Sequence, residues 1–352
     1  MPSLKERIYR SYESGILLPG IIFPLLTATA VHFLFVQMTN SELGKDVAEY
    51  CPELLGSNHP FRLHYTGLEV IDRVLCTLVS FFHAILEPET SQFLMYFMST
   101  GAITFVFPLV ESRRAGRHIA LGWPLIIGFF SQTMTVGLTL TMYWLLFIWT
   151  GAARRKPIAG AGAGVTQAEA EAVVFAIAVG MGVPTAGLLF MKDATVTALW
   201  QAFPALASLG VAAHLLIRPM SRHSESGYNT IRALYIGIFM ISSSAHLAMV
   251  APLLNDLPAL KALLLPSLTS PPVAAATRDK VENFLKWDAV YAFGSMMIGS
   301  LWFAKDGRQV VKLAEWYTVA TPIVGPGAAI TAVLLWRESL LANDVEPHIK
   351  DE

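Results

Sequence analysis

The chain has 352 residues, of which 54% are hydrophobic and only 14% charged, with a net charge of -1 and a mean hydropathy of +0.52. That balance argues against a soluble enzyme of one or two domains, and it supplies no basic field for nucleic acid. It fits an all-α polytopic membrane protein, because backbone in lipid must satisfy its own hydrogen bonds and helices do so.

In chain order, a charged amphipathic lead from Ser3 to Ser14 precedes a first apolar run that is long enough to span and is not read as a cleavable signal. A crossing helix needs about 20 apolar residues. Nine stretches approach that length: roughly 15–37, 66–86, 92–110, 121–150, 171–190, 196–217, 228–251, 284–304 and 317–336. The expectation is a single transmembrane helical domain, 1–352, of about nine helices within a range of seven to nine. The second run is the weakest, since Glu69, Asp72 and Arg73 occupy its first turns. Three connections are longer: 38–65, the Ala/Gly-rich 151–170, and 252–283. Cys51 falls in a loop and Cys76 inside an apolar run, so the two are not expected to pair or to hold a metal.

Threading nine runs through a bilayer places Arg154, Arg155, Arg218, Arg222, Lys305 and Arg308 on the N-terminal side, which leans that side towards the cytosol. The opposite side then collects acids. Asp72 opens the second run, Glu111 closes the third, Asp193 closes the fifth, Asp288 opens the eighth and Glu338 follows the ninth. Carboxylates at a hydrocarbon boundary are costly unless paired or protonated, so several on one face suggest a site. Gln132 lies about 11 residues into the fourth run, near mid-membrane at ~1.5 Å per residue. Trp200 and Trp287 stand at helix starts, and Tyr291 follows Asp288 by three positions and can share its face. Structural explanations compete for each residue. Interfacial tryptophans are ordinary anchors, acids near helix N-termini favour the macrodipole, Glu69 can pair with Arg73, and Glu111 can pair with Arg114. His83, His214 and His246 lack paired spacing, and no metal or other cofactor is expected.

An acid in apolar surroundings can stay protonated and donate, and aromatic faces stabilise passing cations. Together these suit a proton-initiated polyene cyclisation, with water excluded to protect the cation.

The segments Leu75-Cys-Thr-Leu-Val-Ser-Phe-Phe82, Phe107-Pro-Leu-Val-Glu-Ser-Arg-Arg114, the Gln132…Tyr143-Trp144 helix, Leu199-Trp-Gln-Ala-Phe-Pro204 and Lys286-Trp-Asp288 resemble fungal membrane-bound terpene cyclases. The nearest type is that of the ascofuranone and macrophorin meroterpenoid pathways, and the likeness runs over roughly 66–304. The resemblance implies metal-independent cyclisation of a farnesyl or epoxyfarnesyl chain in the endoplasmic reticulum membrane. It also implies a lipophilic prenylated substrate handed on from a prenyltransferase and an epoxidase. On this reading Asp72, Glu111 and Asp288 are the catalytic acids. Asp288 is placed as proton donor, although Lys286 is near, while Arg113 and Arg114 favour an orienting or base role for Glu111. Gln132, Tyr143, Trp200, Trp287 and Tyr291 are the substrate-binding candidates. The competing class is a transporter or channel for a small solute, with the same acids as a proton relay. It predicts mid-membrane acids and broken helices in inverted repeats.

Overall fold

In the computed structural model, residues 15, 17–51, 60–87, 91–155 and 164–343 are described, and the charged lead and residues 156–163 of the Ala/Gly linker lie outside them. α1 (Pro19–Val31) continues through a π-helical turn (His32–Val36) into α2 (Gln37–Asn40), and the short α3 (Leu43–Glu49) follows. α4 is Glu69–His83, and α5 (Ser91–Thr100) leads into α6 (Ile103–Glu111). α7 (Pro124–Met134) and α8 (Val136–Trp149) are separated by Thr135 alone. α9 (Gln167–Phe175) joins α10 (Val183–Met191) through a π-helical stretch, Ala176–Gly182. Then come α11 (Ala194–Gln201), α12 (Phe203–Ile217), α13 (Tyr228–Val250), α14 (Leu257–Leu264), α15 (Thr277–Ser300), α16 (Gly307–Val324) and α17 (Pro326–Asn343). Among the described residues every regular element is helical, and the rest are turns, irregular connections and one isolated bridge between Thr166 and Ser226.

Among the described residues, four helices are long and apolar enough to cross a membrane: Pro19–Asn40, Ser91–Glu111, Gln167–Met191 and Tyr228–Leu253. α11 and α12, bent by 62°, make a fifth if counted as one span. The structure is thus helical, and these helices fit a multi-pass membrane protein with fewer apolar spans than the nine expected.

Four of the nine expected runs fall outside these spans: 284–304, most of which lies in α15, and three that are corrected for a physical reason. The run 66–86 is the amphipathic α4. Asp72, Cys76, Val79 and Ser80 are buried at helical spacing, while Leu68, Val70, Ile71 and Val74 are exposed on the other side. The run 121–150 is a hairpin. Pro124, Ile127 and Gly128 lie by Pro108 and Leu109, whereas Ser131 to Val136 lie by Phe97 to Thr104. α7 therefore runs against the direction of α5 and α6. α8 runs with them, because the Phe107 ring stacks on Trp144 at 5.1 Å and meets Phe147 at 5.2 Å. Beyond α8, Arg155 donates to the carbonyls of Ala115 and Gly116 at 3.3 and 3.2 Å, which brings the chain back to where α6 ended. Finally, the run 317–336 contains the turn between α16 and α17, where Gly325 has φ +86 and sits against His246.

These corrections move two acids. Arg154 lies against Gly15, and Arg337 donates both to Glu111 and to the carbonyl of Ala152. Glu111 and Glu338 are therefore at the bundle end that holds Gly15, opposite Asp72, and the expected ring of acids on one face does not form.

The cysteines are also corrected. Cys51 and Cys76 are disulfide-bonded, with Cα atoms 5.9 Å apart, because α3 and α4 pack together and bring the loop cysteine over the second turn of α4. The bridge closes a separation of 25 residues. Loop closure of that size contributes about 3 kcal/mol, so dithiothreitol should lower the melting temperature of the wild type and leave that of Cys51→Ser/Cys76→Ser unchanged.

α8 is apolar on every side and occupies the middle, packed on α1, α7 and α15. Its approach to α15 requires Gly299, where an added Cβ would lie 2.2 Å from the Trp144 ring. Gly299→Ala is expected to destabilise the fold by about 1–3 kcal/mol, measured by thermal denaturation in detergent.

Candidate active site

α15 carries Asp288 into the bundle interior, where the carboxylate meets the tip of the α7–α8 hairpin. At the tip Thr135 adopts φ 86 and caps α8 by accepting from the Leu138 amide at 3.3 Å. The next free amide, Gly137 N–H, donates to Asp288 Oδ1 at 2.6 Å. Only glycine fits here, because a Cβ at 137 would lie 2.6 Å from the Asp288 carbonyl oxygen. Asp288 is 5% exposed, so this contact fixes one carboxyl oxygen and points the group at a defined place.

That place is a cavity of about 240 Å³ in the half of the bundle covered by α3 and α4. The volume is far beyond the ~10–15 Å³ that admits one water. Asp288 is the only ionisable side chain among its described lining residues. The wall is aromatic and continuous in edge-to-face or tilted contacts: Phe284 to Phe81 at 5.5 Å, Phe81 to Phe82 at 5.5 Å, Phe82 to Trp200 at 4.8 Å and Trp200 to Phe203 at 5.8 Å. Phe105 extends it from Phe203 at 4.8 Å. The indole of Trp200 is held by its N–H donating to Thr185 Oγ1 at 3.1 Å. Gln132, in the last turn of α7, also lines the cavity, and its buried Nε2 has no hydrogen-bond partner among the described residues. A buried amide donor left open is costly, and a ligand oxygen would satisfy it.

Of the residues expected at the site, the structure brings together Asp288, Gln132 and Trp200. It sets the others apart. Asp72 is committed to the loop before α4, accepting from the Thr66 amide at 2.7 Å, the Thr66 hydroxyl at 2.8 Å and the Gly67 amide at 3.1 Å. Glu111 lies in a buried ionic group at the Gly15 end. It accepts from Arg114 Nε at 2.9 Å and Arg337 Nη1 at 2.7 Å, and Arg114 in turn pairs with Glu338. Arg337 is further enclosed by the rings of Phe303, Phe147 and Phe107, at 4.6, 5.5 and 5.8 Å. Tyr143 packs beside Phe107 and Phe147 on that side of α8. Trp287 stacks on Phe33 at 4.0 Å, donates to the Ser267 carbonyl, and with Tyr291 faces α1 instead of the cavity. Lys286 is engaged by Glu282 and by the Ala262 carbonyl.

The site residues not anticipated are Thr135, Gly137, Phe81, Phe82, Phe105 and Phe284. One signal for the hairpin tip was present. The run 121–150 is roughly 30 residues, well over the ~20 one crossing needs, and its middle holds Ser131, Gln132, Thr133 and Thr135. The phenylalanines carry no such signal, being indistinguishable in sequence from core or lipid-facing rings.

No curated protein and no solved structure is similar to the chain. The model of the CtvD domain matches residues 20–342, which takes in every helix described above apart from the first and last residues of the bundle, and the chain belongs to the CtvD-domain family.

Proposed function

We propose that the protein is a metal-independent terpene cyclase of meroterpenoid-type biosynthesis, acting by protonation on a farnesyl or epoxyfarnesyl chain in the endoplasmic reticulum membrane. The observation that carries this reading is the cavity itself: one carboxyl group set in an otherwise uncharged, aromatic wall. Membership of the CtvD-domain family and the terpene-cyclase-like segments support it.

In this mechanism the Asp288 carboxylic acid keeps its bond from Gly137 N–H through the carbonyl oxygen and donates from the other oxygen. Its proton passes to the epoxide oxygen, or to the terminal alkene carbon. The C–O bond opens, or the alkene π pair takes the proton, and the cation is trapped by the next alkene, forming a C–C bond. The Phe81, Phe82, Trp200 and Phe203 faces stabilise the migrating charge. The cascade ends when a carbon adjacent to the last cation loses a proton to the Asp288 carboxylate, which restores the acid. The Gln132 amide donates to the substrate's oxygen and sets its approach.

The test is incubation of microsomes bearing the protein with an epoxyfarnesyl phenol and with its alkene parent. Cyclised product is the expected result. A second reading, a proton-coupled transporter, draws on the α7–α8 hairpin, whose tip sets a helix N-terminus against a buried acid. Solute flux without any turnover of either terpenoid would establish that reading and remove the first.

A further inference from the structure

A second feature lies at the opposite end of the bundle from the aromatic cavity. The loop after α6 turns at Gly116 (φ +63) and forms a cleft of about 530 Å³ lined by Arg113, Gly116, Arg117, Ile119, Gly122 and Trp123. Its two arginines have no acidic partner among the described residues. Arg113 Nε donates to Ser112 Oγ at 3.2 Å and Arg117 Nη1 to the Arg114 carbonyl at 3.5 Å. Glu169 is close enough to influence Arg113, but its carboxylate is occupied in a capping box with Thr166. Arg155 adds a third cation, docked on the carbonyls of Ala115 and Gly116. Burial, and then the neighbouring Arg117 charge, push Arg113 below the ordinary arginine range, against the smaller opposing pull of Glu169.

The surroundings of the cleft are apolar. Ile119 is 74% exposed and Trp123 56% exposed at its rim, and Leu125, Ile126, Phe129 and Phe130 continue as an exposed track along α7. Paired cations at the head of a hydrophobic track, with a tryptophan at the junction, match a molecule that is anionic at one end and aliphatic along its length. A free phosphate would use the arginines and leave the track without a role.

We propose that this cleft binds an anionic phospholipid, with its phosphate on Arg113 and Arg117 and an acyl chain along α7. α7 is also one wall of the catalytic cavity proposed above, so a lipid here would brace the hairpin that holds Asp288. The lipid site itself does not depend on that reading.

The experiment is native mass spectrometry of the detergent-purified full chain with phosphatidylserine or phosphatidylcholine of identical acyl chains. The wild type should retain phosphatidylserine in preference by about tenfold or more, given the attraction of each cation near an anionic surface. Arg113→Gln/Arg117→Gln should lose that preference. Arg308→Gln/Lys312→Gln, which removes two exposed cations from the same end, should keep it. Because Arg117 is itself exposed, Arg117→Glu leaves the core untouched and should also abolish the preference. The proposal is overturned if the preference survives in either cleft variant. It is equally overturned if inorganic pyrophosphate displaces bound phosphatidylserine at matched concentration, which would make the cleft a site for free anions.

Discussion

Asp288→Asn is expected to lower cyclisation by about 10²–10⁴-fold, the range that a positioned general acid contributes. The substitution is informative because Asn keeps an oxygen that can accept from Gly137 N–H, now at 2.6 Å, and changes the volume little. The melting temperature should therefore stay near that of the wild type while turnover collapses, and product formation per folded molecule is the quantity to measure. An unaltered rate in Asp288→Asn would rule out Asp288 as the proton donor. Asp72→Asn provides the contrast. It weakens the clamp on Thr66 and Gly67 at the end of the bundle, so it should loosen α4 without removing the chemistry.

Glu111→Gln is expected to have its large effect on stability instead. Arg114, Arg337 and Glu111 are all 5% exposed or less, and the carboxylate is the shared anion between the two guanidinium groups. Removing one partner of a buried ionic group costs about 3–5 kcal/mol, because the remaining cation is left uncompensated. That is a large part of the ~5–15 kcal/mol that holds a typical protein folded. Yield and melting temperature should fall sharply, while turnover per folded molecule should hold. Glu111→Gln/Arg337→Met should recover part of the loss, since it removes the orphaned charge along with its partner. A double variant as unstable as Glu111→Gln alone would show that the interaction matters through packing instead of charge.

The all-α character and most helix positions were legible in the sequence because apolar length is a strong signal. Sidedness was less so, and the reason is specific. Treating 66–86 as a span reversed the direction assigned to α5 and α6, which put Glu111 at the wrong end. Treating 121–150 as a second single span reversed it again, so that the segments from Arg154 to the start of α16 returned to their correct end. Those two errors of parity cancelled, but reading 317–336 as a span, when it holds the turn between α16 and α17, added a third that put Glu338 at the wrong end. The amphipathic spacing of α4, with Asp72 and Cys76 on its buried face, marked the first error, and the excess length of 121–150 marked the second.

The candidate site was legible where chemistry is scarce. An acid, an amide and an indole inside apolar runs stand out, and Asp288, Gln132 and Trp200 do share one cavity. Trp287 and Tyr291 were grouped with Asp288 by closeness along α15, but Trp287 is turned from it by about 100°, Tyr291, four positions beyond Trp287, lies on Trp287's side, and those two rings face α1. Asp72 and Glu111 looked alike as boundary acids. Their difference lies in partners distant along the chain or in a loop, Arg337 for one and the Thr66 turn for the other, which no local pattern reveals.

The Cys51–Cys76 bridge carries information about geography as well as stability. Such bonds form and persist in oxidising compartments and are rare in the cytosol. The end of the bundle capped by α3 and α4 should therefore face the lumen or the exterior, which leaves the arginine cleft and the C-terminal end of α17 in the cytosol. The independent excess of Lys and Arg in the connections at that end points the same way. A maleimide reagent that cannot cross membranes should then label a single cysteine introduced beside Arg308 only after the vesicle is permeabilised when the lumenal face is outward, and without permeabilisation when the cytosolic face is outward.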